Sequence, residues 1–288
     1  MQPIRLPICA ILLAAAQAHA AEVAPGDYEQ LPAGATLLAL YYQHASTDEL
    51  YSDGHEASSD FKLTSDVGII RLIQAYQLNE RLTVDPQFLL PFGHVSSSGD
   101  ASIMGSGSGV GDLIVTAPLK YRLNDNGDIL AVSPYLYLPT GSYDKNDSIN
   151  LGENRWKVDL QVAYIKHFNE KWALDLVGDA IWYGDNDDYG SGSARLERDL
   201  SYEAQIMGRY MPDPTLTLGL GFGHQWGGET QVDGVDQNDK LDTTNVRISA
   251  AKFVTPRDQF LLQLGEDLEV DNGTKEGFRM NLRYLHVF

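Results

Sequence analysis

The sequence predicts an all-β fold: a transmembrane antiparallel up-and-down β-barrel of twelve strands, with short periplasmic turns and long extracellular loops. Three observations carry this. Twelve segments alternate apolar and polar side chains with the period of two that a strand imposes. The connections between them alternate strictly between short and long, as in a barrel threaded back and forth through a bilayer. After residue 20 no run of about 20 apolar residues occurs, so a spanning helix is excluded, whereas a barrel wall hides its hydropathy in alternation.

In chain order, residues 1–20 read as a secretory signal peptide. Arg5 charges a short n-region, Ile8 to Ala16 is apolar, and Ala18-His19-Ala20 is a small-x-small cleavage site before Ala21. Cys9 lies inside it in the wrong context for a lipoprotein acceptor, so the mature chain is expected to contain no cysteine, which suits an exported wall of strands. Residues 21–34, with Pro25 and Pro32, are expected as a periplasmic N-terminal segment, with folding up as a plug the alternative. Residues 35–288 form the barrel, a single domain. A net charge of −19 argues against nucleic acid as a partner.

The predicted strands are 36–45, 62–77, 81–93, 110–123, 129–140, 154–168, 172–184, 200–211, 215–227, 242–254, 259–269 and 278–288. Short turns fall at Asn79-Glu80, Asn124 to Asp128, Asn169 to Lys171, Pro212 to Pro214 and Thr255 to Asp258. The intervening long connections are mostly rich in Gly, Ser, Asn and Asp. An even strand count places both chain ends on one side.

Parity identifies the two faces. Strand four sets Leu113, Val115, Ala117, Leu119 and Tyr121 against Asp112, Thr116, Lys120 and Arg122. Strand six sets Trp156, Val158, Leu160, Val162 and Tyr164 against Arg155, Lys157, Asp159 and Gln161. Strand seven sets Trp172, Leu174, Leu176 and Trp182 against Asp175 and Asp179, and strand eight sets Tyr202, Ala204 and Ile206 against Glu203, Gln205 and Arg209. A cation facing lipid at the midplane costs about 2–4 kcal/mol, so the charged parity faces inward. Tyr121, Trp172, Tyr210 and Tyr284 fall near short-turn ends, and Phe92, Trp156, Trp182 and Phe222 toward long-loop ends, as two interfacial girdles would. Two strands fit poorly. Asp66 and Gln74 share a parity with Ile70 and Leu72, and Glu266 breaks phase after Leu262 and Leu264; an outer-rim position for Asp66, or a bulge in either strand, would reconcile them.

The inward set mixes charges with Tyr135, Tyr137, Tyr183 and, on strand two, Ile69 and Ile73. The solute path is therefore expected to include Arg122, Tyr135, Tyr137, Asp175, Asp179, Tyr183, Glu203, Arg209, Arg247, Arg279 and Arg283. Charges there either filter solutes or pair and brace the wall. Aromatic and aliphatic lining suits weakly polar solutes.

The last strand ends flush on Phe288, which resembles the carboxyl-terminal signal read by the outer-membrane barrel assembly machinery. Gly105-Ser106-Gly107-Ser108-Gly109-Val110-Gly111-Asp112, the strand after it to Arg122, Leu90-Pro91-Phe92-Gly93, Tyr137-Leu138-Pro139-Thr140-Gly141 and Glu276-Gly277-Phe278-Arg279 resemble the phenol meta-pathway degradation-like outer-membrane proteins from residue 34 to the end. The resemblance implies a barrel that admits aromatic or other hydrophobic compounds, and supplies no functional residues to carry over.

Acidic loops at Asp185, Asp187, Asp188 and at Asp233, Asp236, Asp239, Asp242 lack the EF-hand spacing and read as solvated. His44-Ala45-Ser46 and His94-Val95-Ser96 place a base and a hydroxyl on one strand face, as outer-membrane lipid hydrolases do. The sequence holds no zinc cluster, phosphate loop or thiol site. The reading is a monomeric, non-enzymatic passive channel of the outer membrane, for small hydrophobic or aromatic solutes, without cofactor or metal. Its partners are outer-membrane lipid, lipopolysaccharide, the assembly machinery and the solutes. The alternatives are a plugged structural or adhesive barrel and a lipid hydrolase.

Overall fold

A computed structural model describes residues 23–288; the signal segment 1–20, with Cys9, lies outside the described residues. Twelve antiparallel strands make the wall. They are β1 (Thr36–Ser52), β2 (Phe61–Gln74), β3 (Leu82–Val84 and Gln87–Gly99), β4 (Ser106–Val110, Leu113–Thr116 and Leu119–Arg122), β5 (Ile129–Leu138) and β6 (Lys157–Asn169). There follow β7 (Trp172–Tyr183), β8 (Ser201–Asp213), β9 (Leu216–Gly227), β10 (Leu241–Phe253), β11 (Asp258–Val270) and β12 (Gly273–Val287). Each pairs with its sequence neighbour, and β12 closes on β1 from Leu37↔Val287 to Tyr51↔Gly273, so no edge is left for lipid to meet.

Side-chain alternation follows the predicted parity. On β5, Leu130 and Val132 are exposed while Ala131, Ser133, Tyr135 and Tyr137 are buried. On β6, Lys157, Asp159 and Gln161 are buried against exposed Val158, Leu160 and Val162. Trp172 and Tyr210 meet on the outer surface at the short-turn end with ring centroids 4.6 Å apart, while Trp156 and Trp182 are exposed toward the long loops.

Four expectations about the wall are corrected. Strand four is three segments, because the chain leaves the ladder at Gly111-Asp112 and again at Ala117-Pro118, where Pro118 has no N–H to give. Strand three likewise breaks at Asp85-Pro86 and then runs on to Gly99. Several connections expected as loops are built as strand. The wall continues to Ser52 and starts again at Gly273, and a four-stranded sheet (Asn186–Tyr189, Ala194–Arg198, Thr230–Val232, Val235–Asp236) stands on the long-loop rim.

The poorly fitting charges also settle. Asp66 stays on the outward parity with no register shift, its carboxylate accepting from Tyr42 and pairing with His44 Nδ1 at 2.8 Å, so local partners rather than a bulge neutralise it. Glu266 is outward and exposed; the bulge lies beyond it, where Thr244 opposes Glu269 and Asn245 opposes Asp267.

Candidate functional site: the barrel lumen

The lumen is filled in three tiers. At the long-loop end, the chain between β5 and β6 folds inward. Ile149 is buried among Leu50, Phe61, Leu63, Val95, Ala101 and Met104. The glycine-rich run that carries the family resemblance is what lets it approach. A Cβ on Gly107 would lie 2.5 Å from the Ile149 carbonyl oxygen, and one on Gly109 2.3 Å from Ser142 Oγ, both impossible for any other residue without displacing the loop. Asp112, turned out of the ladder by the break in β4, accepts the Gly141 N–H at 2.8 Å and the Glu153 N–H at 2.9 Å. One carboxylate thus holds both ends of the loop. Glu153 in turn receives Arg155 Nη2 at 2.8 Å and Lys157 Nζ at 2.6 Å; burial would raise its carboxyl, but Lys157 and Arg155 hold it well below the usual range.

The middle tier has two arcs. Strands β2 to β5 present an apolar and aromatic one: Val67, Ile69, Leu89, Ile114, Tyr135 and Tyr137 pack together, with Tyr41 against them. Strands β6 to β8 present a polar one of Asp159, Gln161, Asp179, Glu203 and Gln205. Above the aromatic arc, under the loop, is a cavity of ≈ 280 Å³ lined by Val67, Ile114, Tyr137, Lys157 and loop residues. Below it lies one of ≈ 530 Å³, lined by Tyr41, Arg71, Ile73 and Tyr135.

At the short-turn end sits the N-terminal segment. The stretch from Val23, expected in the periplasm, is folded into the barrel mouth, because its carboxylates find arginines there that the wall leaves over. Arg283 donates to Asp27 at 2.7 Å, and Arg71 lies 3.7 Å from its other oxygen. Arg209 donates to Glu29 at 2.6 Å and to Asp175 at 2.9 Å, while His167 Nε2 is 2.9 Å from Glu29. Lys120, ion-paired with buried Asp85 at 2.8 Å, also donates to the carbonyls of Asp27 and Glu29. Tyr28 donates to Gln161, and the Gln30 amide donates to the carbonyls of Arg81 and Lys120. Gly26, at φ +81°, makes the turn that brings its N–H to Asp175 at 3.3 Å. Burial would raise both segment carboxyls. The Arg283, Arg71 and Lys120 charges hold Asp27 below its usual value, and the His167 hydrogen bond with Arg209 does the same for Glu29.

The predicted path residues therefore divide. Tyr135, Tyr137, Asp175, Asp179, Glu203, Arg209, Arg247 and Arg283 are buried on the inner face. Tyr183 is half-buried, its ring under the Arg155 and Arg198 guanidiniums at 4.9 and 4.6 Å. Arg279 is bound to Glu276 at the long-loop end. Arg122 is a correction: it has the inward parity but lies past the end of the lumen, exposed, donating to the Glu80 carbonyl at 2.6 Å. Asp27, Glu29, Lys120 and Arg71 were not on the predicted path; the signal for them was an inner wall with more arginine than nearby acid, beside a segment carrying acid. The long-loop acids have protein partners: Asp185 and Asp187 face Arg195, Asp188 takes Lys145, and Asp239 takes Thr230. Among the described residues no group of three His, Cys, Asp or Glu side chains is arranged to hold a metal ion. His94 bonds Ser108 at 2.7 Å rather than Ser96.

The family model described as "Putative MetA-pathway of phenol degradation" matches residues 47–284. The crystal structure of the COG4313 outer membrane channel from Pseudomonas putida F1 is 65% identical with a TM-score of 0.92, covering 93% of this chain and all of that one. The β domain of the Bordetella autotransporter BrkA, at 10% identity and TM-score 0.58 over 89% of this chain and all of that one, shares the barrel fold alone. No curated protein matches. A family match across most of the strands and an outer-membrane channel as a close homologue place this chain in the phenol MetA-degradation family of outer-membrane barrel proteins.

Proposed function

We propose that this barrel is a passive channel for small hydrophobic or aromatic compounds, exported by cleavage of residues 1–20, assembled through its Phe288 end and working as a monomer. The observation that carries the reading is the apolar arc of Val67, Ile69, Leu89, Ile114, Tyr135 and Tyr137, from which Val67, Ile114 and Tyr137 line the upper cavity and Tyr135 the lower. Tyr137 lines the upper space and Tyr135 the lower, so a flat apolar solute moves from one ring to the next by exchanging stacking partners. At the lower cavity the charges of Arg71, Lys120, Arg209 and Arg283 are spent on Asp27, Asp85, Asp175 and Glu29, which leaves little there to attract a sugar. The homologous channel supports the transport class.

Uptake by a deletion strain complemented with wild type or with Tyr135→Ala/Tyr137→Ala tests it. Uptake of phenol-like solutes should fall in the double variant, with sugar permeation through liposomes unchanged. Equal uptake of every hydrophobic solute by both strains sinks the aromatic path. The seated N-terminal segment favours a second reading, a plugged structural barrel; no conductance and no solute flux in planar bilayers would select it.

A further inference from the structure

The outer wall changes chemistry in step across β1 to β4. Three successive outward rows run through directly paired residues. Tyr42, Gly68, Phe92 and Val110 form the first; a Cβ on Gly68 would lie 2.5 Å from the Phe92 ring, which covers β2 there. His44, Asp66, His94 and Ser108 form the second, and Ser46, Thr64, Ser96 and Ser106 the third. The face thus turns from apolar to imidazole and carboxylate, and then to hydroxyl, in two outward steps of each strand. Its height is set by β3. Leu82 pairs with Tyr121 of the short-turn girdle, and from Leu82 to Phe92 is about the ten residues that a tilted strand needs to cross hydrocarbon. The second and third rows, beyond Phe92, therefore stand in the headgroup layer of the outer leaflet.

Both imidazoles of the second row are tied by Nδ1. His44 Nδ1 lies 2.8 Å from Asp66 Oδ1, which also accepts from the Tyr42 hydroxyl at 2.6 Å, and His94 Nδ1 lies 2.7 Å from Ser108 Oγ. Nε2 of each histidine is left for a partner from outside, with its ring already oriented. With both imidazoles charged the row is net cationic, since Asp66 cancels one of the two. A phosphate placed against it favours the charged imidazoles and so strengthens its own contact. The hydroxyls of the third row donate to and accept from sugar hydroxyls, and gain nothing from acyl chains.

We propose that these two rows are a docking surface for the phosphorylated sugar headgroup of lipopolysaccharide, with His44 and His94 on phosphate and the hydroxyl row on sugar. The surface is on the outer wall and stands whichever solute the lumen passes. Purified barrel in detergent is titrated with deep-rough lipopolysaccharide, and retained lipid is read by native mass spectrometry. His44→Leu/Asp66→Leu/His94→Leu should weaken retention at least about tenfold. His224→Leu/Thr244→Leu, at a paired polar position of β9 and β10, should leave it unchanged. Retention by the triple variant equal to wild type overturns the proposal, as does its loss in the His224 variant instead. No cysteine lies in residues 23–288, so Ser96→Cys places a single thiol in the third row without touching the second, and decides the matter should the triple variant fail to assemble. Its reaction with a maleimide should slow several-fold on addition of lipopolysaccharide and stay unchanged on addition of phosphatidylglycerol. Equal slowing by both lipids overturns the proposal in favour of a general lipid surface, and no slowing by either overturns it outright. Spontaneous disulfide-linked dimers of Ser96→Cys in outer membranes also overturn it, because the face would then be covered by a second copy of the chain.

Discussion

Arg283 of the last strand donates to Asp27 of the N-terminal segment at 2.7 Å, joining residues 256 positions apart. Strand closure sets β12 beside β1, and the segment that precedes β1 turns back beneath both. The seated mouth is therefore a consequence of closing the wall, since the arginine and its acid meet only when first and last strands are neighbours.

Removing one partner of that pair should release the segment. Asp27→Asn leaves Arg283 and Arg71 facing each other without their shared acid, and breaking a buried pair in this way typically costs about 3–5 kcal/mol. Single-channel conductance should rise, and the segment should become cleavable by protease added from the periplasmic face. Conductance and cleavage identical to wild type would show that the segment is held by something else.

Acid should do the same reversibly. Asp27 and Glu29 both titrate below their usual values of 3.8 and 4.5 in the folded protein. The sign follows: a depressed carboxyl stabilises the docked state fully above its unfolded pKa and loses that contribution as pH falls through the folded one. The contribution of these two carboxylates should be lost as pH falls below about 4.5 and then below about 3.8. Conductance recorded in steps from pH 5 to 3 should increase; a conductance unchanged down to pH 3 would contradict this.

Asp112→Ala should free the inward loop. It removes two hydrogen bonds to a charged acceptor, each worth about 1.5–3 kcal/mol, at the two ends of one loop. Limited proteolysis within residues 141–153 should accelerate while the twelve-strand wall keeps its heat-modifiable migration. Gly109→Val should give the same loop phenotype by collision with Ser142. A loop that resists protease in both variants would remove Asp112 from this role.

On the outer face, Val162→Arg should destabilise the barrel in lipid vesicles by about 2–4 kcal/mol, and Trp156→Arg at the rim by about 0–1 kcal/mol. Urea unfolding followed by tryptophan fluorescence reads the first; a tryptophan-independent probe such as gel migration reads the second. Equal costs at both depths would mean that hydrocarbon does not cover Val162.

Much of the wall was legible in sequence because its causes are local. Side-chain parity needs only the strand period, so Tyr135, Asp179 and Arg209 could be assigned inward from their neighbours alone. Arg122 shows where parity stops: it gives a face but not a height, and this residue lies past the lumen's end. The breaks at Pro86 and Pro118 carried a local signal, a missing N–H, that a hydropathy pattern overlooks. The glycine-aspartate run was visible as a motif, but its reason was not, since Ile149 and Ser142 are distant in sequence from Gly107 and Gly109.

By itself, then, the sequence determined twelve strands, their order, which face of each meets lipid and which end carries the long loops. Those follow from covalent neighbours and the energetic cost of charge in hydrocarbon. Tertiary structure decided what occupies the interior: Asp27 beneath Arg283, the loop latched by Asp112, an aromatic arc opening into two cavities. These depend on closure of the wall, which brings remote residues within hydrogen-bond distance, and a contact of that kind has no period along the chain from which it could be read.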